Sequence, residues 1–145
     1  MSEGFEVIVD AQGQIAGRLS SLVAKMLLRG KRVVVVNAEK AVISGRRKTV
    51  LGEVQDFLRI DSAVNPKYTP KHYIRPDKFL RSMIRGMLPR KKAKGAEALK
   101  RLRVHVGRPG GLEGEPITLK DTSATRLSHK YTTLQEVFAR FGGGR

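Results

Sequence analysis

Three histidines, a serine ahead of a glycine, a glycine-bearing turn and a dense run of lysines and arginines are the residues best equipped for chemistry. His72, His105 and His129 fall in three separate segments, none at the i, i+4 spacing of a helical metal pair and none with Asp or Glu at ligand intervals, so no metal site is predicted. Ser44 precedes Gly45 and is expected to have no general base nearby, which reads as a turn residue and not a nucleophile. In "DAQGQIAGR" (Asp10 to Arg18), Gly13 and Gly17 are four apart, so the turn lacks both the G-x-G-x-x-G spacing and the GK[ST] ending that bring backbone amides to phosphates. No cofactor, no small-molecule substrate and no catalytic residue is expected. Asp10 or Gln12 is expected to help start a helix, and Gly17 to let that helix lie close on a sheet.

The cations are another matter. "SMIRGMLPRKKAKG" (Ser82 to Gly95) breaks at Pro89 and runs into Arg90, Lys91, Lys92 and Lys94 with no carboxylate among them. "GRRK" (Gly45 to Lys48) sets Arg46, Arg47 and Lys48 at a helix start, where the helix dipole disfavours positive charge unless an anion lies there. "NPKYTPKHYIRP" (Asn65 to Pro76) adds Lys67, Lys71 and Arg75 on a proline-stiffened backbone. In the same loop His72, Tyr68 and Tyr73 could hydrogen-bond phosphate or stack on bases. Arg81 and Arg85 are four apart on a helix face opposite its apolar side, and Arg101, Arg103 and Arg108 extend the footprint.

The net charge is +16, from 29 Lys and Arg against 13 Asp and Glu. Residues 1–64 contribute +3, residues 65–108 contribute +12 and residues 109–145 contribute +1. A solvated cationic face accounts for balanced charge of the first kind, but not for the self-repulsion of the second, which is useful beside a polyanion. An anionic membrane would want these cations along one amphipathic helix, whereas many fall among Pro and Gly in loops. DNA reading would want a recognition helix or β-ribbon; cations on loops and helix ends suit the phosphates of a folded RNA.

These residues need a scaffold, and the apolar pattern supplies one. Phe5 to Val9 reads as a buried strand, and Ile15, Leu19, Leu22, Val23, Met26 and Leu27 recur at helical spacing up to Arg29-Gly30. "RVVVVNA" then has four successive valines without alternation, the mark of a strand covered on both faces, which makes a parallel βαβ unit. Ala41 to Ser44 is a short extended piece, followed by a helix with the stripe Val50, Leu51, Val54, Phe57 and Leu58. Asp61 to Ile74 is irregular. A third helix starts with Pro76 in its first turn and presents Leu80, Met83, Ile84, Met87 and Leu88 on one face. Ala96, Leu99 and Leu102 suggest a fourth helix, "RVHVG" a strand, "RPGGLEGEP" a loop and Ile117 to Leu119 an edge strand. Thr133 and Glu136 are spaced as a capping box for a last helix burying Leu134, Val137, Phe138 and Phe141, before the glycine run "GGGR".

The fold class expected is a compact single-domain α/β protein with a central, mainly parallel sheet (βαβ, Rossmann-like) flanked by helices, plus basic loop extensions. Its parts would be a βαβα core (1–64), a basic RNA-facing region (65–108), and a loop with a C-terminal helix (109–145). A chain of this length buries about 68–70% of its unfolded surface, enough for a real core. The absence of Cys removes disulfides and thiolate chemistry. No stretch approaches the roughly 20 apolar residues of a membrane span, and "MSEGFEVIVD" lacks a signal-peptide plan, so a cytoplasmic protein is expected.

Two segments, "DAQGQIAGRLSSLVAKMLLRGKRVVVVNAEKAVISG" (Asp10 to Gly45) and "RGMLPRKKAKGAEALKRLRVHVG" (Arg85 to Gly107), resemble the hallmark segments of the large-subunit ribosomal protein L-thirteen family. The link "NPKYTPKHYIRPDKFLRSMIRGMLP" resembles its archaeal and eukaryotic branch. The resemblance implies a parallel-sheet α/β fold, no catalysis, and a place at the ribosome on large-subunit (23S-type) rRNA beside other ribosomal proteins. It also places Arg85, Gly86, Pro89, Lys92 and Gly95 in the family's most characteristic block. The N-terminal extension and longer loop of bacterial members are absent, and residues 109–145 match less distinctly. An RNA-modifying enzyme of small methyltransferase type and a free-standing RNA chaperone share the basic face and are the alternatives.

Overall fold

The computed structural model describes residues 6–112 and 114–141. Its first two strands, β1 (Glu6–Asp10) and β2 (Arg32–Val36), run parallel with Val7 opposite Val33 and Val9 opposite Val35. Phe5, where the first strand was expected to begin, lies outside the described residues, as does the terminal glycine run. The helix between the strands, α1 (Ala16–Leu28), ends as the sequence demands. Gly30 takes φ +90°, its amide donates to the Leu27 carbonyl at 3.1 Å and the Lys31 amide donates to Met26 at 3.2 Å, a Schellman closure that a glycine admits without strain. The third strand, β4 (Leu102–Val104), pairs parallel to the other side of β2, giving the order β1-β2-β4.

The central place of β2 explains its valine run. Val33 and Val35 enter a core shared with α1, α3 (Pro76–Gly86), α4 (Ala93–Lys100) and α5 (Leu134–Ala139), while Val34 and Val36 pack with Ile8 on the opposite face, against Leu112. Leu19, Val23 and Leu27 of α1 and Leu80 and Ile84 of α3 are fully buried between the layers. The molecule is thus a compact α/β fold around a parallel three-stranded sheet. Among the described residues no helix is long and apolar enough to cross a membrane.

A second, two-stranded sheet joins β3 (Val42–Ser44) antiparallel to β5 (Tyr131–Thr133), the latter a strand that the polar "YTT" does not advertise. Next to it α2 (Arg47–Leu58) packs on α5, whose start is capped by Thr133: its Oγ1 accepts from the Glu136 amide at 3.3 Å, as the capping-box spacing predicts.

Several expectations need correction. The edge strand at Ile117 to Leu119 is a single bridge: the Ile117 amide donates to Ile8 at 2.8 Å and its carbonyl accepts from Asp10 at 3.0 Å. No second pair of bonds follows it among the described residues, and a 3-10 turn over Lys120–Thr122 draws the chain away. Asp10 does not cap α1. Its Oδ1 accepts instead from the Gln12 amide (2.9 Å) and from Asn37 Nδ2 (3.0 Å), tying the turn after β1 to the end of β2. Gly17 faces α3 and not the sheet, since a side chain there would first meet Met83 at 4.0 Å. Met87 and Phe57, both expected on buried stripes, are 44% and 45% exposed: Met87 lies just past the end of α3 at its C-cap, and Phe57, near the end of α2, meets the ring of His72 in the 61–74 loop.

Candidate nucleic-acid interface

The cations that the sequence singles out divide by what holds them. Arg46 sits at the N-cap of α2 with no side-chain capping bond, and Arg47 and Lys48 occupy the first turn, where no carboxylate is present. All three are exposed. Arg47 and Lys48 share with Arg140 the rim of a cleft of about 550 Å³ floored by Leu51 and Phe141. Arg46, His129 and Lys130 border a smaller cavity of about 240 Å³.

The second group surrounds the break at Pro89. Lys92 is the N-cap of α4 and Lys94 stands in its first turn, again with no acidic residue. The turn is closed by backbone alone: the Lys92 amide donates to the Pro89 carbonyl at 3.1 Å, and the Gly95 and Ala96 amides donate to Lys92. Arg90, Lys91, Lys92 and Lys94 are all exposed. What reads as a loop cluster is therefore a tight turn that launches a helix, with cations held at the positive end of its dipole. The third helix shows the ordinary arrangement by contrast. Its first turn carries Asp77, 3.4 Å from Arg75 at the N-cap.

The family model for Ribosomal protein L13 matches residues 5–110. The chain belongs to the ribosomal protein L13 family. It is 44% identical over 142 residues to the large ribosomal subunit protein uL13 of Aeropyrum pernix, covering 97% of this chain and 92% of the relative. The corresponding protein of Methanosarcina barkeri is 47% identical over 138 residues (93% and 96%), and that of Methanocaldococcus jannaschii 42% over 141 residues (93% and 96%).

Four residues singled out for RNA in this L13-family chain are committed to the protein itself. Arg101 reaches back to α1, its Nη2 donating to the Leu27 carbonyl at 2.6 Å, where a cation complements the negative helix end. Arg81 Nη1 donates to the Leu102 carbonyl at 2.9 Å. His72 donates from Nε2 to the Ile60 carbonyl at 2.9 Å and meets Phe57 edge-on, ring centroids 5.0 Å apart, so it fastens the 61–74 loop to the end of α2. Arg108 Nη2 donates to Gly114 at 2.9 Å. Lys67, Lys71 and Arg85 are exposed.

Sequence reasoning also overlooked contacts in the L13 fold. Ser44 does have an imidazole beside it, since Ser44 Oγ is hydrogen-bonded to His129 Nε2 across the β3-β5 pairing. The pair is 85 residues apart in sequence and exposed, so no local spacing could reveal it. Arg32, Lys78 and Lys100, not singled out from the sequence, lie exposed along the side of the sheet with Arg103. The usable signal was strand parity: Arg103 is opposite Val34, and Arg32 is two residues before Val34, so both arginines share one face.

Proposed function

We propose that this chain is a structural constituent of the large ribosomal subunit, in the cytoplasm, where it binds large-subunit rRNA, stabilises its fold during assembly and abuts neighbouring ribosomal proteins. Its membership of the L13 family supports this reading over an RNA-modifying enzyme or a free chaperone. One structural observation carries it: α2 and α4 both begin with exposed cations and no carboxylate. The fold itself opposes charge of that sign at those positions, so an external polyanion is what relieves it.

The contact surface in this reading comprises Arg46, Arg47 and Lys48 at one helix start, Arg90, Lys91, Lys92 and Lys94 at the other, and Lys67, Lys71, Arg75 and Arg85 between them. Arg81, Arg101, Arg108 and His72 hold the fold, each presenting to RNA only what its internal bond leaves free. The mechanism is neutralisation of phosphates with counterion release, positioned by shape and not by base edges. Reconstitution of large subunits from protein-free rRNA and purified proteins tests it. The full chain should sediment with the particle through a sucrose gradient, and its omission should leave an incomplete one; failure to associate would refute the proposal.

A further inference from the structure

The central sheet leaves one edge open. β1 is covered by the Ile117 bridge, but β4 has no strand beyond it among the described residues. The Arg101 carbonyl and the His105 amide bond to β2, so Leu102, one residue on, turns its carbonyl to the open side, and Arg81 caps it there. An exposed strand edge ordinarily invites pairing with another chain and is often guarded by charge. Here the guard is heavier than that need. Three adjoining hollows lie here, two bordering the edge and the third between α3 and α4. The first, about 360 Å³, is lined by Arg32, Lys100, Arg101 and Arg103 over Val34; the second, about 220 Å³, shares Arg103 and adds Lys78 and His105; the third, about 350 Å³, shares Lys78 and Arg81 and ends at Tyr73 and Arg85.

Arg32, Lys78, Lys100 and Arg103 are exposed, and none takes part in an ion pair among the described residues. The carboxylate bordering this track, Asp77, is engaged by Arg75. The track meets the wider basic surface at Arg85, but its Arg32 and Lys100 end lies away from the Pro89 turn. Lys92 and Lys100 bracket α4, whose eight residues span about 12 Å.

We propose that the open edge of β4 is a second RNA-binding groove, in which Arg32, Lys100, Arg103 and Lys78 follow the phosphates of one RNA strand while Tyr73 and His105 offer stacking faces. It rests on the reading of the chain as an rRNA-binding protein. It adds that the protein holds two RNA segments at once, one at the Pro89 turn and one along the sheet edge, as a clamp between them. A groove with spaced cations and aromatic faces is the arrangement that tracks a nucleic-acid backbone.

Lysine acylation of the full-length protein, free and bound to protein-free large-subunit rRNA, tests this without mutation. Lys78 and Lys100 should be protected several-fold, with exposed Lys25 on α1 reacting as in the free protein. Full reactivity of Lys78 and Lys100 in a complex that protects Lys91 and Lys92 would overturn the groove while leaving the wider reading intact. Protection of neither pair would count against both. A variant carrying Arg32→Gln, Lys78→Gln, Lys100→Gln and Arg103→Gln should bind the same rRNA at least tenfold more weakly, with a log–log salt slope shallower by about 3. It should also lose backbone protections in a different RNA segment from those lost on changing the Pro89 turn. Undiminished affinity, or loss of the same segment in both variants, would show that these cations only guard the strand edge.

Discussion

A side-chain carbon built on Gly95 would lie 2.6 Å from the carbonyl carbon of Pro89 and closer still to its oxygen. The Pro89 carbonyl is also the acceptor that closes the basic turn, taking the Lys92 amide at 3.1 Å. Gly95 is thus the residue that lets four cations be presented on a tight turn against the first turn of α4, and Pro89 is the wall it must clear. The block is a packing device as much as a charge cluster.

Replacing Gly95 with Ala should accordingly destabilise the protein, because the obstruction is backbone and not a flexible side-chain end. Overpacking of this kind costs about 1–3 kcal/mol, which for a domain of this size lowers Tm by roughly 2–12 °C. Thermal denaturation followed by circular dichroism measures it, and an unchanged Tm would mean that the turn does not press on α4.

Arg101 and Lys91 should separate fold from function. Arg101→Ala removes the bond to the Leu27 carbonyl and should cost about 1.5–3 kcal/mol of stability, whereas Lys91→Ala, exposed and unbonded in the structure, should stay within about 0.5 kcal/mol. Urea denaturation of both variants decides this. Equal midpoints would return Arg101 to the set of free cations.

Buried polar pairing latches the C-terminal segment to the start of α1. Thr122 Oγ1 donates to Gln14 Oε1, both residues are almost wholly buried, and the Thr122 carbonyl accepts from the Ile15 amide at 2.7 Å. Thr122→Val strands the Gln14 amide group and should cost about 1–3 kcal/mol. Adding Gln14→Leu should recover part of that loss, and a double-mutant cycle that proves additive would deny the coupling.

Much of the scaffold was legible because its signals are local. Four valines in a row require a strand covered on both faces, Pro76 presets the first turn of α3, Gly30 closes α1, and Thr133 stands three residues before Glu136. The β3-β5 sheet was not, since Tyr131 to Thr133 pairs with residues some ninety positions earlier and carries little apolar pattern of its own. Charge density pointed to the basic region, but not to the direction of each side chain. Whether an arginine faces solvent or folds back depends on a distant carbonyl: Leu102 lies 21 residues from Arg81, and Leu27 lies 74 from Arg101. The groove at β4 was missed for the same reason, since Arg32, Lys78 and Arg103 converge only when β2, α3 and β4 are assembled.

Changing Arg90, Lys91, Lys92 and Lys94 together to Ala should leave Tm nearly unaltered, as exposed cations contribute little to folding, while weakening incorporation into reconstituted large subunits. Competition between this variant and the unchanged chain for limiting rRNA reads the effect directly. Equal incorporation would move the contact away from the turn.

The most direct measurement is a filter-binding titration of the full-length protein against protein-free large-subunit rRNA between 50 and 200 mM monovalent salt. If the uncompensated cations neutralise phosphates, engaging about 6–10 of them, affinity should fall on the order of 10³-fold or more over that range, linearly on a log–log plot. An affinity that stays level as salt rises would contradict the account, because the positive surface would then be doing nothing that RNA can feel.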